Sequence, residues 1–308
     1  MTDRPQALGD DILATVRTAR REFYRGIEPL RPELHRYCRR LAGNVWDAED
    51  LVQETLTRAF ARASQAHVEI ANPIGWLVRI ATNAYIDGWR RPAPVPAELP
   101  ETAAEPEIDG LEVRDALGEV AMLLPPQERA AVVLKDVFDL SLAETAAMLS
   151  TSVGAVKAAL HRGRARLAAP VPNPTERPRP SRAVLDAMAE AFTAYDLDRL
   201  AQLFLADAQC EVIGLVYEVG RDTIRNGSLH HSLVLETDVR YRAEVMGDVV
   251  VLWERPAEGG DEALGDVIRI ETADGGIARM RVYYFCPELL TEFAAQRGLP
   301  VRVHGYHL

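Results

Sequence analysis

The chain holds only three cysteines in 308 residues, Cys38, Cys210 and Cys286. They are odd in number and far apart, so they build neither a disulfide framework nor a zinc spacing. Buried, inert thiols in a reducing cytoplasmic compartment are the expectation. No apolar run approaches the roughly 18 residues of a membrane span, and no membrane partner is expected. The opening stretch MTDRPQALGDDILATVRTARREF carries acids early and no apolar segment, which argues against a secretory signal. Lysine is almost missing: it occurs at Lys135 and Lys157, and arginine supplies the rest of the positive charge. No spacing calls for a metal or a cofactor. His304 and His307, in HGYH, have no further ligands beside them and read as a terminal tail.

What is present is a segmented, folded chain. A hydrophobic content of 48% supports packed domains over disorder, and 308 residues exceed what one core ordinarily needs. The formal charge of −11 is unevenly spread. Residues 1–91 carry 14 basic and 12 acidic side chains, 92–140 carry 3 and 11, 141–170 carry 4 and 1, and 171–308 carry 14 and 22. Positive charge is thus concentrated in STSVGAVKAALHRGRARL, residues 150–167, while the acidity lies elsewhere. Two stretches, 91–110 and 169–180, hold five prolines each; neither can form a helix or a central strand, and both read as extended linkers. The expected organisation is an all-α domain over 1–91, a Pro/Glu-rich linker over 92–110, and a second all-α domain over 111–168. A Pro-rich linker over 169–180 and an α+β domain over 181–308 follow.

In WDAEDLVQETLTRAFARA, Asp47 is placed to cap a helix whose first turn holds Glu49 and Asp50. Val52, Leu56, Ala59, Phe60 and Ala63 then recur on one face. PIGWLVRIATNAYIDGWRR predicts a second helix, entered at Pro73. In the middle piece LEVRDALGEVAMLL, PPQERAAVVLKDVF, SLAETAAMLS and VGAVKAALHRGRARL predict four short helices. The turn at Ser150–Ser152 makes the last two a helix-turn-helix. A helical wheel sends Val153, Val156, Leu160 and Leu167 to the core, and Lys157, Ala158, His161 and Arg162 to an exposed arc. Small and cationic side chains on such a helix suit a DNA major groove, with Arg164 and Arg166 extending the charge toward phosphates. A solvated cationic helix end is the competing reading. Beyond residue 181, SRAVLDAMAEAFTAY and LDRLAQLFL predict helices. QCEVIGLVYEV, VRYRAEVMG, DVVVLWERP, DVIRIETADG and GIARMRVYYF predict strands, and their Gly-containing turns suggest antiparallel pairing.

LPPQERAAVVLKDVFDLSLAETAAMLSTSVGAVKAALHRGRARL resembles the fourth conserved region of bacterial extracytoplasmic-function sigma factors. AEDLVQETLTRAFARA followed by GWLVRIATNAYIDGWRR resembles their second conserved region, and the two lie in the family's order. The resemblance implies binding to core RNA polymerase, at its β′ clamp helices and β flap, and promoter-specific initiation of transcription. Asp50, Gln53 and Glu54 then form the polymerase-docking face. Trp76, Arg79, Asn83, Asp87 and Arg90 lie on the helix resembling the minus-ten reader, and the loop SQAHVEIANP corresponds to the segment that captures an unpaired base. Core packing is the alternative for Trp76 and Trp89. Lys157, His161, Arg162, Arg164 and Arg166 become the minus-thirty-five reader. Relatives carry polar or basic side chains where this chain has Ala155, Ala158 and Ala159, which implies an altered contact there.

The helices-then-strands order of residues 181–308, with ADGGIARMRVYYFCPELL, resembles the SnoaL-like domains fused to several sigma-factor groups. That resemblance implies a cone-shaped α+β domain with a pocket, for which His230, His231, Tyr241 and Tyr283 are candidates. Asp222 and Tyr284 join them as residue types that serve as acid–base groups in related enzymes. None forms a motif of specific spacing, so no catalytic residue and no enzyme activity is expected. The expected role is regulatory, by packing on the sigma domains or sensing a small-molecule ligand, and a separate anti-sigma partner stays open. Two other readings stay open too: an operator-binding helix-turn-helix regulator with a ligand sensor, and a SnoaL-like isomerase or cyclase with a DNA-binding appendage. The EDLVQE helix favours the sigma reading, because neither alternative needs a polymerase-docking face.

Overall fold

A computed structural model describes residues 10–64, 70–89, 124–167 and 179–305. The chain divides into two compact units, one reaching to Pro172 and one running from Asn173 to His307. The domain boundaries expected at 91, 110 and 168 fall at or beside residues outside those described.

The first unit is helical. Its opening helices are α1 (Asp10–Ile27), α2 (Arg31–Ala42), α3 (Val45–Ala63) and α4 (Pro73–Trp89). Helix α3 starts earlier than the sequence suggested. Asn44, not Asp47, is its cap: Asn44 Oδ1 accepts from the N–H groups of Trp46 and Asp47 at 3.1 and 2.9 Å. Asp47 instead accepts from Asn44 Nδ2 at 2.8 Å. Leu34, Tyr37 and Leu41 of α2, Val52, Leu56 and Ala59 of α3, and Leu77, Ile80 and Ala81 of α4 form the core. Each large apolar side chain so buried contributes about 1.5–3 kcal/mol.

Helix α5 (Pro126–Val132) runs on through a wider helical turn at Val133–Val137, and α6 (Leu142–Met148) and α7 (Val153–Leu167) complete the unit. The segment 111–123, where a further helix was expected, lies outside the described residues. The α5 run QERAAVVL is apolar on two sides, and the structure uses both. Ala130, Val133 and Leu134 enter the core of α2–α4, while Ala131 and Val132 pack with Val156, Ala159 and Leu160 of α7. Arg129 fixes the seam: its Nη1 donates to the carbonyl of Leu41, left open at the end of α2, at 3.0 Å. Its guanidinium also lies 5.7 Å from the Tyr85 ring centroid. Phe138 meets Tyr37 at 5.1 Å between ring centroids. Gly163 lets α7 close on α5, since a Cβ there would sit 3.0 Å from Val132 Cγ2. Val153, expected in the core, is 38% exposed, because the helix enters from the Ser150–Ser152 turn at the rim of the fold.

The second unit is α+β, as expected. Helices α8 (Arg182–Thr193) and α9 (Leu197–Gln202) precede strands β1 (Phe204–Val212) and β2 (Val216–Val219). A helical stretch, α10 (Arg221–Ile224) continued by Arg225–Leu229 and His231–Leu235, leads to β3 (Val239–Met246), β4 (Val249–Pro256), β5 (Ala263–Ala273) and β6 (Gly276–Val282). Helix α11 (Pro287–Ala295) follows. The strands form one sheet in the order β2-β1-β6-β5-β4-β3. QCEVIGLVYEV, expected as one strand, is two, folded at Gly214 with Leu215 N–H bonded to Val212 O at 2.9 Å. Among the six strands antiparallel pairing fails once: the meander returns β6 alongside β1, and that pair is parallel. The tail is docked at His304, contrary to expectation. Val301 bridges Leu264, and His304 Nε2 lies 2.7 Å from buried Glu254 with its ring stacked 4.1 Å from Tyr284. His307 lies outside the described residues.

Candidate functional site

Helix α3 divides its work by face. Val52, Leu56 and Ala59 enter the core, Glu54 is exposed, and Asp50 and Gln53 are half-buried. Gln53 Nε2 donates to Glu49 Oε1 at 2.8 Å, and Glu49 is fully buried and paired with Arg31. The amide at position 53 is therefore held from beneath. Glu54 accepts from Arg58 Nε at 2.6 Å, and Arg58 Nη1 reaches Asp87 Oδ2 on α4 at 3.0 Å. An outward carboxylate, an anchored amide and a bridging arginine thus share one surface.

On α4, Trp76 is half-buried and packs on the core. Arg79 and Asn83 are half-buried, and Arg79 Nε and Asn83 Nδ2 are shielded from water with no hydrogen-bond partner. A shielded donor left unmade costs about 1–3 kcal/mol, which a docked acceptor relieves. Sequence reading missed two neighbours, Arg58 and Arg62 of α3. Burial, and then the charges of Arg58 and Arg79, hold the Arg62 guanidinium below its usual value. The signal was available: Arg58 and Arg62 stand four apart on the helix that supplies the acidic face. Arg90, the Trp89 side chain and residues 65–69 of the loop lie outside the described residues.

On α7, Lys157, His161, Arg162, Arg164 and Arg166 are all exposed. The three arginines turn back to α5 and its extension. Arg162 Nε and Arg166 Nε reach the two oxygens of Glu128 at 2.9 and 3.0 Å, and Arg164 Nε reaches Asp136 at 3.0 Å. Lys157 and His161 share a shallow groove with Lys135 and Leu142. Ala155 and Ala158 are exposed, but Ala159 is 6% exposed and belongs to the core, so it leaves the expected reading face. Ser152 Oγ accepts from Ala155 N–H at 3.2 Å, fixing how the helix leaves its turn.

The second unit encloses a cavity of about 560 Å³ between the inner sheet face, α8 and the helical stretch after β2. His230, His231 and Tyr241 line it, while Tyr283 does not. Past the end of β6 the alternation sends Val282 and Tyr284 to the cavity and buries Tyr283 on the other side, its N–H bonded to Val267 O at 3.2 Å. Asp222 is exposed and also lies off the cavity. Three acids were missed: Glu218, Glu236 and Asp266. Asp266 Oδ1 accepts from the N–H groups of Val267 and Tyr283 at 2.7 and 3.1 Å. Burial nonetheless pushes this carboxyl well above the usual range, and the charges of Glu254 and Glu236 push it the same way. Burial likewise raises the Tyr241 and Tyr284 phenols, keeping both protonated; Tyr284 Oη donates to Glu236 Oε1 at 3.4 Å. The Glu218 carboxylate occupies room that Gly227 leaves by lacking a Cβ, and accepts from Ser228 N–H at 3.1 Å. Alternation in DVIRIETA carried the Asp266 signal, since it places that acid on the face of Ile268 and Ile270.

Among the described residues no group of histidines, cysteines and acids could hold a metal ion, and no helix is long and apolar enough to cross a membrane.

Residues 27–93 match the family described as Sigma-70 region 2, and residues 114–167 match Sigma-70, region 4. The chain is 34% identical over 229 residues to ECF RNA polymerase sigma factor SigG of Mycobacterium tuberculosis, spanning 63% of this chain and 62% of SigG. It is 31% identical over 158 residues to ECF RNA polymerase sigma factor SigW of Bacillus subtilis, spanning 46% of this chain and 84% of SigW. The solved extracytoplasmic-function sigma factor SigJ of Mycobacterium tuberculosis is similar at 24% identity and a TM-score of 0.32, over 83% of this chain and 94% of SigJ.

Proposed function

Because the chain belongs to the extracytoplasmic-function sigma factors, we propose that its helical unit binds core RNA polymerase in the cytoplasm and directs initiation at a specific set of promoters. The observation that carries this is the outer surface of α3, where Glu54 is exposed opposite a fully buried apolar stripe and Gln53 is anchored at the stripe's edge. An amide fixed from beneath by Glu49 loses little freedom on docking, which favours its use as a recognition group. Arg58, Arg62 and Arg79, with the shielded donors of Arg79 and Asn83, form the minus-ten surface. Lys157 and His161 read the minus-thirty-five element, with Arg162, Arg164 and Arg166 as phosphate contacts that must exchange Glu128 and Asp136 for DNA. The C-terminal unit is a regulator, not a catalyst, and responds to a small molecule. An anti-sigma partner is a further level of control compatible with the same surfaces.

Run-off transcription with core polymerase on a genomic fragment library tests the reading. Initiation dependent on this protein is expected, and the double variant Gln53→Arg, Glu54→Arg should lower it about tenfold or more, the scale of a lost interface anchor. The variant's melting temperature controls for folding. Removing residues 181–308 should change transcript yield at limiting polymerase. Full activity of the double variant would refute the docking face.

A further inference from the structure

The cavity of the C-terminal unit is lined by Glu218, Glu236 and Asp266, and among the described residues no lysine or arginine lines it. Arginines adjoining the lining residues in sequence are engaged elsewhere. Arg279 and Arg281 leave the opposite face of β6 to meet Glu211 at 3.3 and 3.5 Å, and Arg225 holds Asp198 at 2.6 Å. The remaining wall is apolar, including Phe192, Leu252, Ile268 and Met280. At the rim Leu215 and Leu235, both lining residues, are 40% and 60% exposed. A volume of about 560 Å³ falls in the range of small-molecule sites, roughly 300–1,000 Å³.

We propose that this cavity binds an organic cation, a protonated amine carried on an apolar body, with Asp266 and Glu236 as its counter-charges. The proposal rests on the reading of the C-terminal unit as a ligand-responsive regulator and names the ligand's chemistry. An anionic ligand would meet Glu218 and Glu236 with no lysine or arginine on the cavity wall to balance them. A neutral apolar ligand would cover the walls but strip water from those acids without replacing it. An ammonium group satisfies both demands. Both backbone bonds to Asp266 fall on Oδ1, so Oδ2 is the oxygen left for a charge-assisted bond to the ligand. Tyr241 and Tyr284 line the same space.

Cation binding must ionise Asp266, so it releases a proton and strengthens as pH rises through that group's raised titration. The groups that face Asp266 and modulate the effect are Glu218 from β2, His230, His231 and Glu236 from the stretch after β2, and Tyr241 from β3. Glu254 from β4, with Arg302 at 3.9 Å and His304 at 2.7 Å, and Tyr284 beyond β6 complete the set.

Calorimetric titration of the full chain with three ligands sharing one apolar body tests the proposal: 1-adamantanamine, 1-adamantanol and 1-adamantanecarboxylate. The amine should bind at least about tenfold more tightly than the alcohol, and the carboxylate should not bind. Asp266→Asn and Glu236→Gln should each weaken the amine about tenfold while leaving the alcohol unchanged, and amine affinity should rise with pH in the wild type and lose that rise in Asp266→Asn. Glu236 is half-buried, so its variant keeps the test valid if Asp266→Asn fails to fold. Equal binding of amine and alcohol, binding of the carboxylate, no binding of the amine, or wild-type amine affinity in a folded variant would each overturn the proposal. If the amine fails while deletion of residues 181–308 still alters transcription, the cation is refuted and the regulatory role stands.

Discussion

Glu49 in the helical unit and Asp266 in the C-terminal unit are both buried carboxylates, at 0% and 1% exposure, yet they are kept in opposite ways. Glu49 has Arg31 as a buried partner, with His35 Nε2 at 3.8 Å and the Gln53 amide at 2.8 Å. Asp266 has two backbone N–H groups and no cation, and acids as its charged neighbours. A buried carboxylate with a cation beneath it is fixed as an anion and can brace a surface. One denied a cation is pushed toward its neutral form and stays responsive to whatever charge enters the cavity. The contrast separates a braced helix surface from a chargeable pocket.

The largest expected effect breaks the first half of that contrast. Arg31→Met removes the guanidinium but keeps an apolar stem of similar length, leaving Glu49 buried without its main partner. Breaking such a pair costs about 3–5 kcal/mol, a fall that chemical denaturation of the full chain should show in the transition of the helical unit. A loss below about 1 kcal/mol, the value of an exposed pair, would mean that Glu49 is solvated or neutral and that Gln53 is not anchored through it.

The second half is sharpened by Asp266→Asn, read against pH. Asp266 titrates in the folded state above its ordinary value of 3.8. Its contribution to stability is therefore complete below that ordinary value and is lost as pH rises through the folded one. Asparagine keeps an oxygen for the Val267 and Tyr283 N–H groups and does not ionise. The variant should gain on the wild type as pH rises, by about 1.4 kcal/mol for each unit between the folded and unfolded values, then level off. Melting temperatures of both proteins across the range check this; a difference that stays flat with pH would place Asp266 among ordinary, solvated acids.

These two carboxylates also show what the sequence could convey. The helices around Glu49 were legible because a 3.6-residue apolar period and turn residues mark them locally, and the second and fourth regions carry dense family signatures. That residues on both sides of the 92–110 segment share one core was not legible. Arg129 on the Leu41 carbonyl and Phe138 on Tyr37 are contacts across long stretches of chain, which no local period encodes. In the C-terminal unit residue type pointed to histidines and tyrosines, of which His230, His231 and Tyr241 line the cavity. Asp266 was missed because that acid opens the segment DVIRIETADG, where it reads as solvated until the sheet shows that β5 begins earlier and which face is covered. Tyr283 and Tyr284 differ only in strand parity, and parity past the end of β6 depends on the turn. The docking of His304 on Glu254 depends on a parallel bridge between Val301 and Leu264, again a nonlocal pairing.

The smallest expected effect concerns a carboxylate between the two extremes. Glu128 has a side chain 7% exposed, and its partners Arg162 and Arg166 are more than half exposed. Solvent screens such pairs, so Glu128→Gln should cost only about 1 kcal/mol of stability. Its effect on DNA should be opposite in sign. In the wild type those two guanidinium groups must leave Glu128 before they can meet phosphate. In the variant nothing negative competes for them, so affinity for duplex DNA at low salt should rise several-fold, on the order of 1 kcal/mol. The dependence of affinity on salt should steepen by about one to two phosphate equivalents. Fluorescence anisotropy with a labelled duplex over a salt series measures both quantities. An unchanged slope would show that Arg162 and Arg166 do not reach the DNA backbone, leaving Lys157 and His161 to carry the contact of this helix.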